Sequence, residues 1–209
     1  MKVFLKVLLV VLFPLLLTLL SVRIAFTEAF VEFLYPRVEL PQDPMPYELR
    51  LSIAKLGLRS VLTDKGMEEL KNSGLFNERE IRHIEDVKRL LGFSFVLLYI
   101  GLPIFLLGLL SLREIKNIGM VLFFGSLLLE VFALFVLLSS VINYEGIFTA
   151  FHELFFDPHS WRFFEEDMLI RVYPMDFWLK ATLYTTLMVF FVNLFPQALG
   201  LLLWRRRPS

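Results

Sequence analysis

The chain of 209 residues holds three histidines, His83, His152 and His159, and no cysteine. Imidazole is the side chain that takes up and releases a proton near neutral pH, so these positions bound the acid–base chemistry available. The lack of cysteine excludes disulfides, a thiol nucleophile, cysteine metal ligands and self-lipidation. His83 opens HIEDVKRLL, just ahead of an apolar run. His152 and His159 fall in FHELFFDPHSWRFFEEDMLIRVYPMDFW, Phe151 to Trp178, which is too polar to cross a bilayer and too aromatic for an idle loop. The reading that organises the rest is that His83 and His152 meet at a membrane surface.

If His83 is helical, Asp86 three residues on shares its face while Glu85 points elsewhere. A carboxylate there would fix the imidazole tautomer and raise its basicity. Taken alone, a histidine beside a span is an ordinary interfacial residue. His152 lies among Phe148, Phe151, Phe155 and Phe156, with Asp157-Pro158 closing any short helix. Such aromatic density suits an interfacial helix or a re-entrant loop, and burial would keep the imidazole neutral and available as a base. Trp161, Tyr173 and Trp178 read as interface anchors. Without a second histidine at the same depth, an aromatic belt with an incidental His152 would suffice.

Other chemistries fit less well. A His-Glu-x-x-His zinc motif fails because Phe156 stands at its fifth place. A metal site from His83, His152, His159 and Asp86 has no recognised ligand spacing. Ser160 lacks the strand–turn–helix setting of a nucleophile elbow. No Gly-rich phosphate loop is present, and the basic residues are scattered at a net charge of zero, so neither nucleotide coupling nor nucleic-acid binding is indicated.

The elements that must position the histidines are set by apolar length. With 57% hydrophobic residues, 23 of them Phe, and a mean hydropathy of +0.67, the chain has more apolar surface than one water-soluble core of this size buries. Four segments, about 3–22, 90–112, 118–142 and 177–204, reach the roughly 20 helical residues that cross a bilayer. The first is longer than a signal-peptide core and no clear cleavage site follows it, so it reads as an anchor. Residues 1–209 thus form one integral membrane domain with outer loops of about 23–89 and 143–176. Lys2, Lys6, Arg113, Lys116 and Arg205 to Arg207 then share one side, which the positive-inside rule makes the cytoplasm, with both termini inside. Arg79, Arg82, Lys88 and Arg89 on the long outer loop oppose this, but long loops count less and acidic residues are interleaved.

Pro14, Pro103 and Pro196 interrupt three spans, either as ordinary kinks or as places where helices splay to admit a lipid. Glu130 sits mid-span, where a lipid-facing carboxylate would cost roughly 2.5–3.5 kcal/mol, so it should face the bundle or a wet cavity in a structural or a catalytic role. In the first outer loop, Tyr47, Leu49, Leu51 and Ile53 alternate with Glu48, Arg50 and Ser52, predicting a short strand after an extended Pro36–Pro46 linker. The expected class is therefore mainly α, four membrane helices with a small α+β cap. Asp64–Leu70 predicts a short helix, and Asn77 with Glu80 a capping box opening a helix that runs unbroken through His83 into the second span.

HIEDVKRLL before a span, with FHELFFDPHSW, EEDMLIRVYP and DFW before the last span, resembles the bacterial lipoprotein intramolecular transacylases. The resemblance extends over nearly the whole chain, and its specific part is about forty residues in two blocks. One departure is Ile84, where Met is expected after the first histidine. The resemblance implies an enzyme of the bacterial cell membrane that takes a diacylated lipoprotein as substrate. It would move the sn-2 acyl chain of the diacylglyceryl-cysteine to the α-amino group, leaving an N-acyl lyso-lipoprotein. His83 and His152 match the family's proposed catalytic residues. On this reading His152 deprotonates the α-ammonium and His83, oriented by Asp86, protonates the departing alkoxide, although the roles could be exchanged. Candidate donors to the oxyanion are Arg82, Trp161, Arg162 or a backbone amide; Glu153 and Asp167 are further supporting candidates, and His159 is a spare. No cofactor or metal is called for, membrane lipids are the other partners, and the oligomeric state is open. The rival readings are a non-enzymatic four-span protein that binds lipid or a partner, and a metal-dependent membrane hydrolase.

Overall fold

The computed structural model describes residues 2–157 and 159–206, so the Pro158 part of the helix stop and the Arg207 part of the basic tail lie outside the described residues. Among the described residues the regular elements are all helical: α1 (Lys2–Ala25), α2 (Glu28–Leu34), a 3-10 turn (Tyr35–Arg37), α3 (Tyr47–Leu62), α4 (Asp64–Asn72), α5 (Glu78–Ser111), α6 (Ile115–Phe155), α7 (Met168–Val172) and α8 (Met175–Arg205). Among the described residues, α1, α5, α6 and α8 are long and apolar enough to cross a membrane.

The expected strand at 47–53 is wrong, because those residues form the first two turns of α3. Its buried positions, Arg50, Ile53, Ala54, Gly57, Leu58 and Ser60, recur at helical spacing across the whole segment. The alternation at 47–53 is a short-window coincidence inside that longer period. No strand occurs among the described residues, so the α+β cap is corrected to an all-α one. Pro36 also sits in a 3-10 turn that continues α2 rather than in the extended linker. The remaining linker prolines do keep the approach to α3 non-helical.

Contacts divide the chain into two compact units. The first comprises Met1–Arg23, Phe95–Leu138 and Tyr184–Ser209. Its core is Leu9, Phe13, Leu16, Leu98, Phe105, Val121, Leu129 and Val189. Small residues let the backbones approach: a Cβ on Gly119 would stand 2.4 Å from Trp204 N and 2.8 Å from Gly200 O, the close crossing that glycine permits between membrane helices. Glu130 is hydrogen-bonded within this unit, accepting from Gln197 Nε2 at 2.6 Å and Asn193 Nδ2 at 3.4 Å. Asn193 Nδ2 also donates to Ser126 O at 3.0 Å. The carboxylate thus faces the bundle, as expected, where neighbouring amides satisfy it inside the span.

The second unit comprises Ile24–Ser94 and Ser139–Leu183. Arg50, 2% exposed, ties it together, pairing with Asp43 and donating to Arg171 O and, at 3.4 Å, to Pro41 O. Arg171 Nε donates to the other oxygen of Asp43 at 2.7 Å. Tyr35 Oη donates to Val172 O at 3.1 Å and Tyr173 Oη to Ala54 O, so the 3-10 turn and α3 are each fixed to the end of α7. A Cβ on Gly57 would meet that tyrosine oxygen at 2.7 Å, which explains a glycine inside α3.

Candidate active site

Two caps determine where the histidines stand. Asn77 Oδ1 accepts the Arg79 and Glu80 amides, each at 3.0 Å, and Glu80 Oε2 accepts the Asn77 amide at 2.8 Å, the reciprocal capping box the sequence predicts. This starts α5 so that His83 lies in its second turn, ahead of the apolar part. The other cap is inside α6. Asn143 leaves helical geometry (φ −157°, ψ 79°), and its Oδ1 accepts the Gly146 amide at 3.0 Å. That is N-cap chemistry, restarting the helix that carries His152 just where the expected third span ends.

The two imidazoles lie nearly parallel, ring centres 5.7 Å apart at 26°, each 8% exposed. Phe156 meets His83 edge-on at 4.9 Å and Phe163 does so at 5.5 Å. Around His152 stand Phe148 at 3.9 Å, Trp161 at 5.0 Å and Phe156 at 5.3 Å. His152 Nδ1 lies 2.7 Å from Phe148 O, one turn back in its own helix. A carbonyl can only accept, so Nδ1 carries the proton and Nε2 of the neutral ring keeps its lone pair. His83 Nδ1 is buried with no hydrogen-bond partner among the described residues, and so is Trp161 Nε1.

Two carboxylates hold the segment that carries Phe163 and Trp161 against the start of α5. Glu80, 1% exposed, uses its second oxygen to accept the Leu169 amide at 2.7 Å. Asp167 accepts Asn77 Nδ2 at 2.8 Å, Arg79 Nη2 at 2.6 Å and the Phe164 amide at 2.7 Å. Arg79 lies over the Phe163 and Phe164 rings at 5.3 and 5.0 Å. Sequence reasoning named Asp167 but missed Arg79, Phe163 and the second role of Glu80. The available signal was position, because Arg79 and Glu80 sit four and three residues before His83 and share its helix face.

Other expected residues stand apart from the pair. Asp86 pairs with Arg89 and makes no hydrogen bond to His83 among the described residues; burial lowers the His83 imidazole, and the Asp86 charge acts on it in the opposite direction. Arg82 is exposed and turns back along its own helix to Glu78 O at 3.4 Å. Glu153 and Arg162 form an exposed ion pair at 3.6 Å. His159 is exposed, its amide donating to Asp157 Oδ1 at 2.8 Å. No group of three or more metal-ligating side chains converges among the described residues, so the set His83, His152, His159 and Asp86 is not a ligand cluster.

Four membrane-length helices define a multi-pass membrane protein, and the buried histidine pair in its aromatic box is the candidate site. Comparison with known proteins narrows this class. Residues 7–178 match the family model of the lipoprotein intramolecular transacylase Lit, and the chain belongs to that family. It is accordingly an acyltransferase and an integral membrane protein of lipoprotein maturation. An uncharacterized protein of Aquifex aeolicus is 42% identical over 190 residues, covering 87% of this chain and 86% of its own. Among solved structures, the fold is that of the membrane-integral lipoprotein intramolecular transacylase Lit from Bacillus cereus, with a TM-score of 0.71 at 21% identity. That match covers 97% of this chain and 95% of the other.

Proposed function

We propose that the chain moves the sn-2 acyl group of a diacylglyceryl-cysteine lipoprotein to the α-amine of the same cysteine, with His152 as base and His83 as acid. The observation that carries this is the stacked pair 5.7 Å apart, with His152 Nδ1 committed to Phe148 O. That bond leaves Nε2 of His152 as the lone pair able to accept a proton, which supports His152 over His83 as the base. An N-terminal amine has a pKa of about 7.7–8.0, and burial lowers the His152 imidazole, holding it neutral with its lone pair free to take the proton.

The neutral amine then attacks the ester carbonyl carbon. The new C–N bond forms, the attacking nitrogen gives its second proton to His83, the bond from that carbon to the sn-2 oxygen breaks, and the alkoxide takes that proton from His83 while the proton held by His152 passes to solvent. Ester to amide runs downhill, so no nucleotide is consumed. Both reacting groups belong to one substrate, so holding it folded supplies much of the acceleration by proximity. Each proton transfer should contribute roughly 10²–10⁴-fold. Both termini are cytoplasmic on this reading and the histidines face the outer leaflet, where a lipoprotein substrate is anchored.

The test is expression in a bacterium lacking its own N-acylating enzyme, followed by mass spectrometry of a lipoprotein N-terminal peptide. The expected product is an N-acyl peptide with one remaining glyceryl ester. His83→Ala and His152→Ala, each folded and inserted, should yield at least 100-fold less of it. Parental product levels from either variant would remove histidine catalysis, and no N-acyl product from the parent would remove the reaction.

A further inference from the structure

A tetrahedral intermediate places negative charge on the former carbonyl oxygen, and a buried donor aimed at it is the remaining requirement of the proposed reaction. Of the side chains that the sequence offers for this task, Arg82 is exposed and bonded to its own helix. Arg162 is two-thirds exposed and paired with Glu153. Trp161 differs on every count. It is 9% exposed, its ring touches His152 at 5.0 Å, and its Nε1 has no hydrogen-bond partner among the described residues. Leaving a buried N–H unpaired costs about 1–3 kcal/mol, and such groups in folded proteins are few and call for a reason.

Arg79 Nε is also buried and unpaired. Its guanidinium, however, is committed to Asp167 and to the faces of Phe163 and Phe164. His83 Nδ1 belongs to the proposed acid, whereas the Trp161 indole is an unpaired donor with no other task whose own ring packs on the proposed base, and Arg162, over that ring at 5.2 Å and paired with Glu153, leaves the N–H uncommitted.

We infer that the indole N–H of Trp161 donates a hydrogen bond to the acyl carbonyl oxygen as it becomes the oxyanion, making Trp161 a third catalytic residue. This rests on the transacylase reading above. As the amine nitrogen bonds to the carbonyl carbon, the carbonyl π pair moves onto the oxygen and the indole proton, without transferring, holds it. When the C–N amide forms, that pair returns and the sn-2 oxygen leaves with the proton from His83. The apolar rings around the donor keep water away, so the hydrogen bond strengthens as charge develops.

The decisive variant keeps the ring and removes only the donor: Trp161→β-(3-benzothienyl)alanine in the full-length protein, assayed in detergent with a diacylated lipopeptide. Single-turnover rates should fall about 100-fold or more while lipopeptide binding changes less than threefold. Trp161→Phe should show the same rate loss. A rate within threefold of the parent for the benzothienyl variant overturns the inference, while inactivity of His83→Ala and His152→Ala in the same assay would leave the reaction itself standing. A second readout needs no variant turnover. With a phosphonate analogue of the tetrahedral intermediate bound to the ¹⁵N-tryptophan-labelled parent, the Trp161 indole proton should move downfield, and an unmoved resonance is equally fatal.

Discussion

Glu80 is a capping residue by sequence and a junction by structure. Its two oxygens accept the amides of Asn77 and Leu169, so one buried carboxylate starts the His83 helix and anchors the segment after the aromatic cluster. Glu80→Ala leaves both amides without an acceptor, each costing about 1–3 kcal/mol. Glu80→Gln keeps one acceptor oxygen and should lose roughly half as much. Thermal unfolding in detergent should therefore rank parent, Glu80→Gln, Glu80→Ala, and equal unfolding temperatures would show that the junction carries no stability. The histidine pair was readable because histidine is so scarce here. The tautomer of His152 was not, because its partner is a backbone carbonyl that pattern cannot reveal. Asp86 was legible in part: helical spacing gives it a face shared with His83, on which its charge acts, while its hydrogen bond goes to Arg89, three residues further.

At the level of elements, the helices that cross the membrane were legible because apolar length survives any local error, whereas the cap was misjudged where two periods overlap. Residues 47–53 alternate, and only the longer run to Leu62 exposes the helical spacing of Arg50, Ile53, Ala54, Gly57 and Leu58. Helix α2 was missed altogether, although Thr27 caps it by accepting the Phe30 amide at 3.3 Å. The cap's chief tie, Asp43 between Arg50 and Arg171, has a pH consequence. Burial pushes the Asp43 carboxyl up, but the Arg171 hydrogen bond, the Met45 amide and the two guanidinium charges outweigh it and hold the group below its usual value. A carboxylate lowered on folding contributes its stability in full above the unfolded pKa of about 4 and loses it as the pH falls through the folded value. The parent's unfolding temperature should thus decline below about pH 4, and Asp43→Asn should flatten that decline while lowering stability at pH 7. Within α6, Asn143→Ala should cost about 0.5–2 kcal/mol through loss of the cap on Gly146.

For the molecule as a whole, function depends on which side of the membrane the histidines occupy. Four spans place the turn between α5 and α6 with the termini, and the basic residues Lys6, Arg113, Lys116, Arg205 and Arg206 flank those ends of the helices. The segment from Phe156 to Pro174 carries instead an excess of Asp and Glu over Arg. On the proposed orientation, the positive-inside rule would put the turn in the cytoplasm and the aromatic site outside. Because the protein has no cysteine, single cysteines report sidedness without background. Ser111 and Glu166 are both exposed, so either side chain can be replaced at little cost. A membrane-impermeant maleimide applied to intact cells, with the outer membrane opened where there is one, should label Glu166→Cys and leave Ser111→Cys unmodified until the inner membrane is breached. The opposite pattern would put His83 and His152 on the cytoplasmic face, away from any lipoprotein anchored in the outer leaflet, and the proposed reaction would then lack access to its substrate however well the two imidazoles are stacked.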